Sequence, residues 1–586
     1  MGAWYFASGD LDFFWPEQIQ ALSWFPNLWR TDIGLGKSVI QSLWLDYPFR
    51  LFLKALFSLG ISWFFIEKIL WLGVLSLGIY ASYRLAKYLF SRARCFLLTP
   101  ILYIGNTYAL LLFGGGQLGV AFAYSVSPLV LLTFIQYIDN YNDVRSLIKN
   151  GLWFALLICF DIRLAFLILC TAVFYFLMKM FTYRRAFPRF WIRLTRIFFI
   201  PLVVAASIHP YWILPTVIQL QSISQIGEQF TNSGMLRFLS VADFSHAISL
   251  LHPNWPENLF GKVYFLHPEF LVLPIVAFSS LLFIDKTHRT NTMNKTKIFF
   301  FALLALFGAF FAKGVQEPFG GLYLWLFTHV PGFVMFRDPT KFYLLIALSF
   351  SVLIPYSLTK IYDVVYSRCQ TSKTYYSKRI GTIVTVILYT SFFIFWSGTM
   401  RQIFVGGLSG NFKPQQVPNE YVRLKNMLVS DAQSSRTLWL PTMEKFAYYS
   451  TLHPYVTKDT IFPGLSDTNL LDFVSSQSFY DALSDYGVRY VIVPIDTEKR
   501  IFLSDYTFDP LIRERLISAL SQTRLQKIPE YSDIAVFENP FFMFHLEIPS
   551  YVGQQEYWSK IGVILSIACG IICMIFLFFN RENYGK

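Results

Sequence analysis

Residues 331–361 read PGFVMFRDPTKFYLLIALSFSVLIPYSLTKI. The segment opens as a Pro- and Gly-containing loop that carries Arg337 and Lys341, and from Phe342 it turns into an unbroken apolar run ending near Ile361. About 20 apolar residues are needed to cross ~30 Å of hydrocarbon, so the run has the length of a membrane span. No water is available inside a bilayer to satisfy the backbone, and the run is therefore expected to be helical.

The rest of the chain repeats this pattern. Of 586 residues 55% are hydrophobic, 19% aromatic and only 15% charged, against about 25% charged in an average soluble protein. With a mean hydropathy of +0.46, a soluble globular protein, a disordered chain, a collagen and a disulfide scaffold are all excluded. Residues 66–88, 119–138, 197–219, 270–284, 298–312, 342–361, 383–396 and 561–579 read as spans. Residues 95–104 form a weaker, shorter segment, and 151–181 is long enough for two segments interrupted by Asp161 and Arg163. The sum is a polytopic α-helical membrane protein of about 11 spans. The apolar but short run 51–65 is expected to lie in the membrane interface.

Positive loops mark the cytoplasmic side. Four clusters do so here: Arg84, Lys87, Arg92 and Arg94; Arg184, Arg185, Arg189, Arg193 and Arg196; Lys286, Arg289, Lys295 and Lys297; and Lys360, Arg368, Lys373, Lys378 and Arg379. Their parity closes if Asp161 lies at a break near the outer face, and it then places 1–48, 220–269, 313–341 and 401–560 outside. The formal charge of +13 invites a nucleic-acid partner. Residues 401–560, however, hold 15 basic and 18 acidic residues, a net of −3 that leaves +16 for the remainder. The basic excess is thus a topology signal, and nucleic acid drops out as a partner. The six cysteines fall in spans or cytoplasmic loops, where no external disulfide is expected, and the sequon at Asn294 lies in a cytoplasmic basic loop.

The chain is expected to divide into a membrane domain, 1–400, with an external first loop, 1–48; an external α/β domain, 401–560; and a last span with a short tail, 561–586. In 401–560 the periodicity changes. Residues 436–440 and 490–494 are short β-rich runs, 467–486 and 510–522 have helical spacing, and 525–529 with 534–538 read as a hairpin. Gly487 is placed to stop the helix before the strand. No phosphate loop, metal-ligand spacing or Gly-x-Ser-x-Gly turn is present, so this domain is assigned a binding or structural role.

Three places could carry chemistry. In the first loop Asp10, Asp12, Trp15 and Glu17 set carboxylates beside flat rings, which suits a sugar, since carboxylates bond hydroxyls and rings stack on C–H faces; a solvated loop with aromatics in the headgroup belt fits equally. Arg337 and Lys341, on the side where positive charge is least expected, could hold a lipid-linked phosphate; an Arg337–Asp338 contact or headgroup anchoring is the alternative. Asp161 and Arg163 are costly at membrane depth. At a spacing of two they do not face each other on one helix, which leaves a structural break or a substrate contact. His329, like His209, His246, His252 and His267, lacks metal-ligand spacing and reads first as a polar residue, then as an acid/base or phosphate partner.

The order of these parts, with the acidic first loop ending in Tyr47-Pro48, the stretch Pro331 to Phe342 and the late Tyr486-Gly487-Val488-Arg489-Tyr490-Val491-Ile492-Val493, resembles the GT-C superfamily of membrane glycosyltransferases. Its nearest look is to mycobacterial-type membrane arabinofuranosyltransferases and YfhO-like proteins. The resemblance implies a hexosyl- or pentosyltransferase of the plasma membrane that moves a sugar from a polyprenyl-phosphate donor to a glycan, lipid or protein acceptor on the outer face. It implies a catalytic carboxylate at Asp10 or Asp12, with Glu17 and Trp15 on the sugar and Arg337 and Lys341 on the donor phosphate; His329, Asp161 and Arg163 join the candidate substrate contacts. The carboxylate-rich loop is compatible with a divalent metal such as Mg or Mn and equally with none. The family holds its catalytic loop behind a first helix, so either the tail 1–48 crosses by itself or a helix lies upstream. A non-catalytic lipid-linked glycan binding protein and a transporter are the rival readings.

Overall fold

The computed structural model describes residues 4–6, 9–90, 97–140, 144–182, 190–218, 233–251, 271–284, 295–370, 375–400, 415–465, 467–495, 511–545, 548–549 and 551–579. Arg92, Arg94, Arg184, Arg185, Arg189, Lys286, Arg289, Lys373, Asn294, Cys95, His252 and His267 lie outside them. The chain forms two compact units, one of residues 1–68, 211–218 and 414–564 and one of 69–210, 219–413 and 565–586. The first loop therefore folds with the late α/β segment, a grouping different from the division expected at residue 400.

The helical unit is built on the segment quoted first. Pro339–Val365 qualifies as a span with 94% of its apolar window buried, whereas only 12% of the window in Thr382–Thr399 is buried, so the former is a central helix and the latter a peripheral one. Lys295–Ala312 packs closely on the central helix at Gly308, where a Cβ would lie 2.9 Å from the Leu345 Cβ; a small residue lets the two backbones approach. Among the described residues seven helices are long and apolar enough to span a membrane, or eight if the broken pair Ile192–Ile208 and Pro210–Ile218 is one span. About eleven were expected. The difference arises where segments are short or broken: Leu98–Ile104 is followed by Asn106, which caps Thr107–Gly114 by accepting from the Ala109 N–H, and Val272–Phe283 is also short. The expected span 197–219 breaks at His209, because Pro210 has no N–H and disfavours helix in the residue before it. Among the described residues, Cys159, Cys170, Cys569 and Cys573 form no disulfide.

The 151–181 segment forms two helices, Val144–Phe160 and Ile162–Thr182. Asp161 sits between them, outside both, and accepts from the Arg163 and Leu164 N–H groups at 2.8 and 3.1 Å. It is an N-cap, and its carboxylate also clamps the Arg163 guanidinium, with Nε 3.1 Å from each oxygen. The spacing rule holds within a helix, and a capping residue is not in the helix, so the two side chains meet at the structural break that was one of the two expected readings.

In the other unit the first loop carries a small ribbon, β1 (Trp29–Arg30) antiparallel to β2 (Lys37–Ser38). A helix, Leu43–Ser58, follows, shifted from the interfacial run expected at 51–65 and containing Pro48. The proline strips a donor from the Trp44 carbonyl one turn earlier, and the Tyr211 hydroxyl supplies one at 2.8 Å. The α/β part has β3 (Arg436–Trp439), β4 (Tyr455–Thr457), β5 (Val488–Val493), β6 (Gln526–Lys527) and β7 (Ala535–Glu538) in the order β4-β3-β5-β7-β6. β3 runs parallel to β4 and β5, and β7 runs antiparallel to β5 and β6. Gly487, with φ of +62°, ends the helix Gln477–Asp485 and launches β5, as its left-handed conformation permits. Core residues Leu438, Val456, Val491 and Phe537 are wholly buried between sheet and helices. The open edge of β4 is covered by the first loop: the Gly34 N–H donates to the Tyr455 carbonyl at 2.7 Å, and the Tyr455 N–H to Asp32 at 3.3 Å.

Candidate active site

Residues 11–15 run without helix or turn. Leu11, Phe13, Phe14 and Trp15 are all buried, at 4–7% exposure, whereas Asp12 among them, and Asp10 in the turn before, are exposed. The segment is pinned by one turn of the α/β part. The Lys445 ammonium donates to the carbonyls of Gly9 and Leu11, the latter at 2.8 Å. The neighbouring Phe446 carbonyl accepts the Trp15 indole N–H at 3.2 Å, and its ring stands edge-on to Phe13. Gln18 accepts from the Trp15 N–H and donates to the Tyr449 carbonyl.

Charged groups surround Asp12 without bonding to it. Arg30 is held by Asp32 at 2.7 Å, and Arg50 by Asp46 at 2.7 Å. Among the described residues no group donates a hydrogen bond to the Asp12 carboxylate. Burial pushes the Asp12 carboxyl above its ordinary range; Lys445, Arg30 and Arg50 oppose the rise and Asp46 adds to it. Its side chain is nevertheless reachable by solvent. The two are compatible, because nearby protein atoms displace part of the water around the carboxylate while its surface stays exposed. Burial likewise pushes the Lys445 ammonium down, against Asp12, Asp10 and Glu444. A solvent-reachable carboxylate with unoccupied lone pairs and a raised pKa can take a proton from an incoming hydroxyl.

The remaining first-loop candidates have protein partners. Trp15 is 7% exposed, and Glu17 pairs with Lys425 at 2.6 Å, whose ammonium also stands 5.5 Å over the Trp15 ring. Sequence reasoning missed Lys445, Arg30, Arg50 and Lys425. The Asp46–Arg50 pair has the i,i+4 spacing of a helical ion pair and could have been read; no signal in a single sequence links Lys445 to Leu11.

In the helical unit, Lys341 is 2% exposed and binds Asp338 at 2.9 Å and Gln117 at 3.3 Å. Asp338 also accepts from the Thr340 N–H at 3.0 Å. Burial would raise the Asp338 carboxyl, but Lys341, the Thr340 bond and nearby Arg163 hold it well below the carboxylate range. Arg163 and Lys341 thus face Asp161 and Asp338 as a compensated cluster. Tyr108 lies beside it, its buried hydroxyl without a hydrogen-bond partner among the described residues. Arg337 is half-buried. His329 is exposed and stacks on Trp325 at 5.4 Å, its Nδ1 against the Thr328 hydroxyl and the Trp325 carbonyl. Among the described residues no three His, Cys, Asp or Glu side chains group closely enough to hold a metal ion.

No family model matches this chain, and no curated protein sequence does. Two solved structures of the arabinofuranosyltransferase AftD from mycobacteria, one of them a mutant, match at 14% identity over 93% and 92% of this chain, with TM-scores of 0.57 and 0.53. The matches cover 39% and 40% of those chains, so this chain spans about two fifths of the enzyme's length. At that identity the likeness is one of fold: this chain shares the fold of the matched part of AftD, in agreement with the resemblance to membrane arabinofuranosyltransferases read from the sequence.

Proposed function

We propose that the chain is a membrane glycosyltransferase that moves a sugar from a polyprenyl-phosphate donor to a cell-envelope glycan, lipid or protein acceptor. Its α/β unit then lies on the extracytoplasmic side of the plasma membrane. The observation that carries the reading is Asp12, a solvent-reachable carboxylate that no described group hydrogen-bonds and that burial holds above its usual range; the fold shared with AftD supports it. In the reaction the acceptor oxygen forms a bond to the anomeric carbon as its proton passes to Asp12. The bond from that carbon to the donor phosphate breaks, and polyprenyl phosphate leaves with the electron pair. Asp10 is the neighbouring carboxylate and second candidate. In the helical unit, Arg337 and Lys341 are the proposed contacts for a lipid phosphate, with Lys341 also bound to Asp338.

The test is transfer by the purified full chain from radiolabelled polyprenyl-phosphate sugars, a hexose and a pentose in parallel. Asp12→Asn is expected to lose about 100-fold or more in turnover. Undiminished transfer by the variant with both Asp10→Asn and Asp12→Asn overturns the base assignment. Donor binding without transfer by the wild-type protein points instead to a carrier of lipid-linked glycans.

A further inference from the structure

Lys445 stands 434 residues from Leu11 in sequence, in the connection between β3 and β4, yet its ammonium is bonded to the carbonyls on both sides of Asp10. We propose that Lys445 is a positioning residue of the transfer site, locking the 9–12 backbone so that Asp12 faces solvent and lending the charge that favours ionised Asp12. The proposal rests on the reading of Asp12 as the base.

Three observations carry it. The first is the geometry: the two carbonyls gripped by Lys445 belong to Gly9 and Leu11, which flank Asp10 at the end of a turn with Gly9 at a φ of +54°, and holding both fixes how the backbone enters Asp12. Phe446, the next residue, holds Phe13 and Trp15, so a single turn of the α/β part sets the loop from Gly9 to Trp15.

The second is the accounting of charge around Asp12. Arg30, Arg50, Asp46 and Lys445 act on it, with the phenols of Tyr449 and Tyr455 also near. Each guanidinium is bonded to a carboxylate of its own, Asp32 or Asp46, which cancels much of its field at a distance. Lys445 spends its donors on neutral carbonyls, and among the described residues no carboxylate comes within ion-pair distance of it; Asp10 and Glu444 act on it from farther away.

The third is burial. An ammonium removed from water is disfavoured unless negative charge compensates it, and burial does push Lys445 down. Lysine here is costly for a residue that merely ties two carbonyls, a task an amide side chain can perform without charge.

The experiment separates this inference from the reaction itself. Carbodiimide labelling of Asp12 in the purified full chain, followed against pH by peptide mass spectrometry, reads its protonation with no substrate present. Lys445→Gln keeps a carbonyl-directed donor and removes the charge; the labelling midpoint is expected to rise by about 0.5–1 pH unit, and Lys445→Arg to leave it within about 0.2 unit. The acid limb of kcat/KM should move with it in Lys445→Gln. If Gln at this position unfolds the protein, Lys445→Cys before and after alkylation with 2-bromoethylamine, which rebuilds a lysine-length ammonium, makes the same comparison. An unchanged midpoint in Lys445→Gln, or an equal shift in Lys445→Arg, overturns the inference. A shifted midpoint in a protein that transfers no sugar supports Lys445 as the group that sets Asp12 and overturns the proposed function instead.

Discussion

Glu17 and Lys425, 408 residues apart in sequence, form an ion pair with Oε1 2.6 Å from Nζ. The pair ties the short helix Pro16–Gln20 to the helix Asn419–Ser430, and the ammonium stands over the Trp15 ring. Glu17 was expected to touch sugar; this geometry gives it work inside the fold. With the two side chains 34% and 14% exposed, solvent screening limits the coupling to about 0.5–1 kcal/mol. A double-mutant cycle of Glu17→Gln and Lys425→Met, read by thermal unfolding in detergent, should return a coupling of that size, with KM for donor changed less than about twofold in each variant. A KM rise of tenfold in Glu17→Gln alone would give the sugar contact back to Glu17.

Asp12 should trade stability for reactivity. Its carboxyl is raised in the folded chain, by burial first, so the folded state disfavours the ionised form and stability is lost as pH rises through its titration. The sign follows from linkage: the unfolded chain binds fewer protons there, and stability falls with pH across that window. Asp12→Asn removes the ionisation. At neutral pH its melting temperature should exceed that of the wild-type protein by about 1–2 °C, and the gain should vanish below about pH 4. A variant that melts below wild type at pH 7 contradicts the raised value.

The Lys341–Asp338 pair carries the opposite sign. Asp338 is held low by Lys341 against the pull of burial, so its contribution is fully present above the ordinary carboxylate range and is lost only as pH falls through its depressed value. Removing one member leaves a buried uncompensated charge, which costs about 3–5 kcal/mol. Lys341→Met should therefore melt well below wild type at pH 7, and adding Asp338→Asn should recover much of the loss. If Lys341→Met melts normally and only donor affinity falls, Lys341 contacts phosphate directly.

These cases mark how far the sequence could be read. The central helix behind Pro331 to Phe342 was legible because length and apolarity suffice to define a span, and Gly487 because a helix and a strand cannot be joined so tightly without a left-handed residue. The break at Asp161 was one of two readings, but its clamp on Arg163 was not legible, because the sequence does not say which residue lies outside a helix. Asp10 and Asp12 were visible as carboxylates, but what separates Asp12 from Asp32, Asp46 and Glu17, each with a basic partner, depends on a fold that brings residues some 430 positions apart into contact. Hydrophobic periodicity reports on the near neighbours of a residue and carries nothing about such pairings.

Tyr108 and Tyr103 should respond oppositely to the same substitution. Both are wholly buried in the helical unit, yet the Tyr103 hydroxyl donates to the Tyr124 carbonyl at 2.6 Å, while the Tyr108 hydroxyl has no partner among the described residues. A buried polar group without a hydrogen bond costs about 1–3 kcal/mol, and removing it forfeits no interaction. Tyr108→Phe should raise the melting temperature or leave it unchanged, and Tyr103→Phe should cost about 1–2 kcal/mol. Destabilisation by Tyr108→Phe would mean that the hydroxyl is satisfied by an ordered water among Asp338, Asp161 and Arg163, the charges closest to it; a water there would make the compensated cluster a wet site within the membrane part rather than a dry clamp.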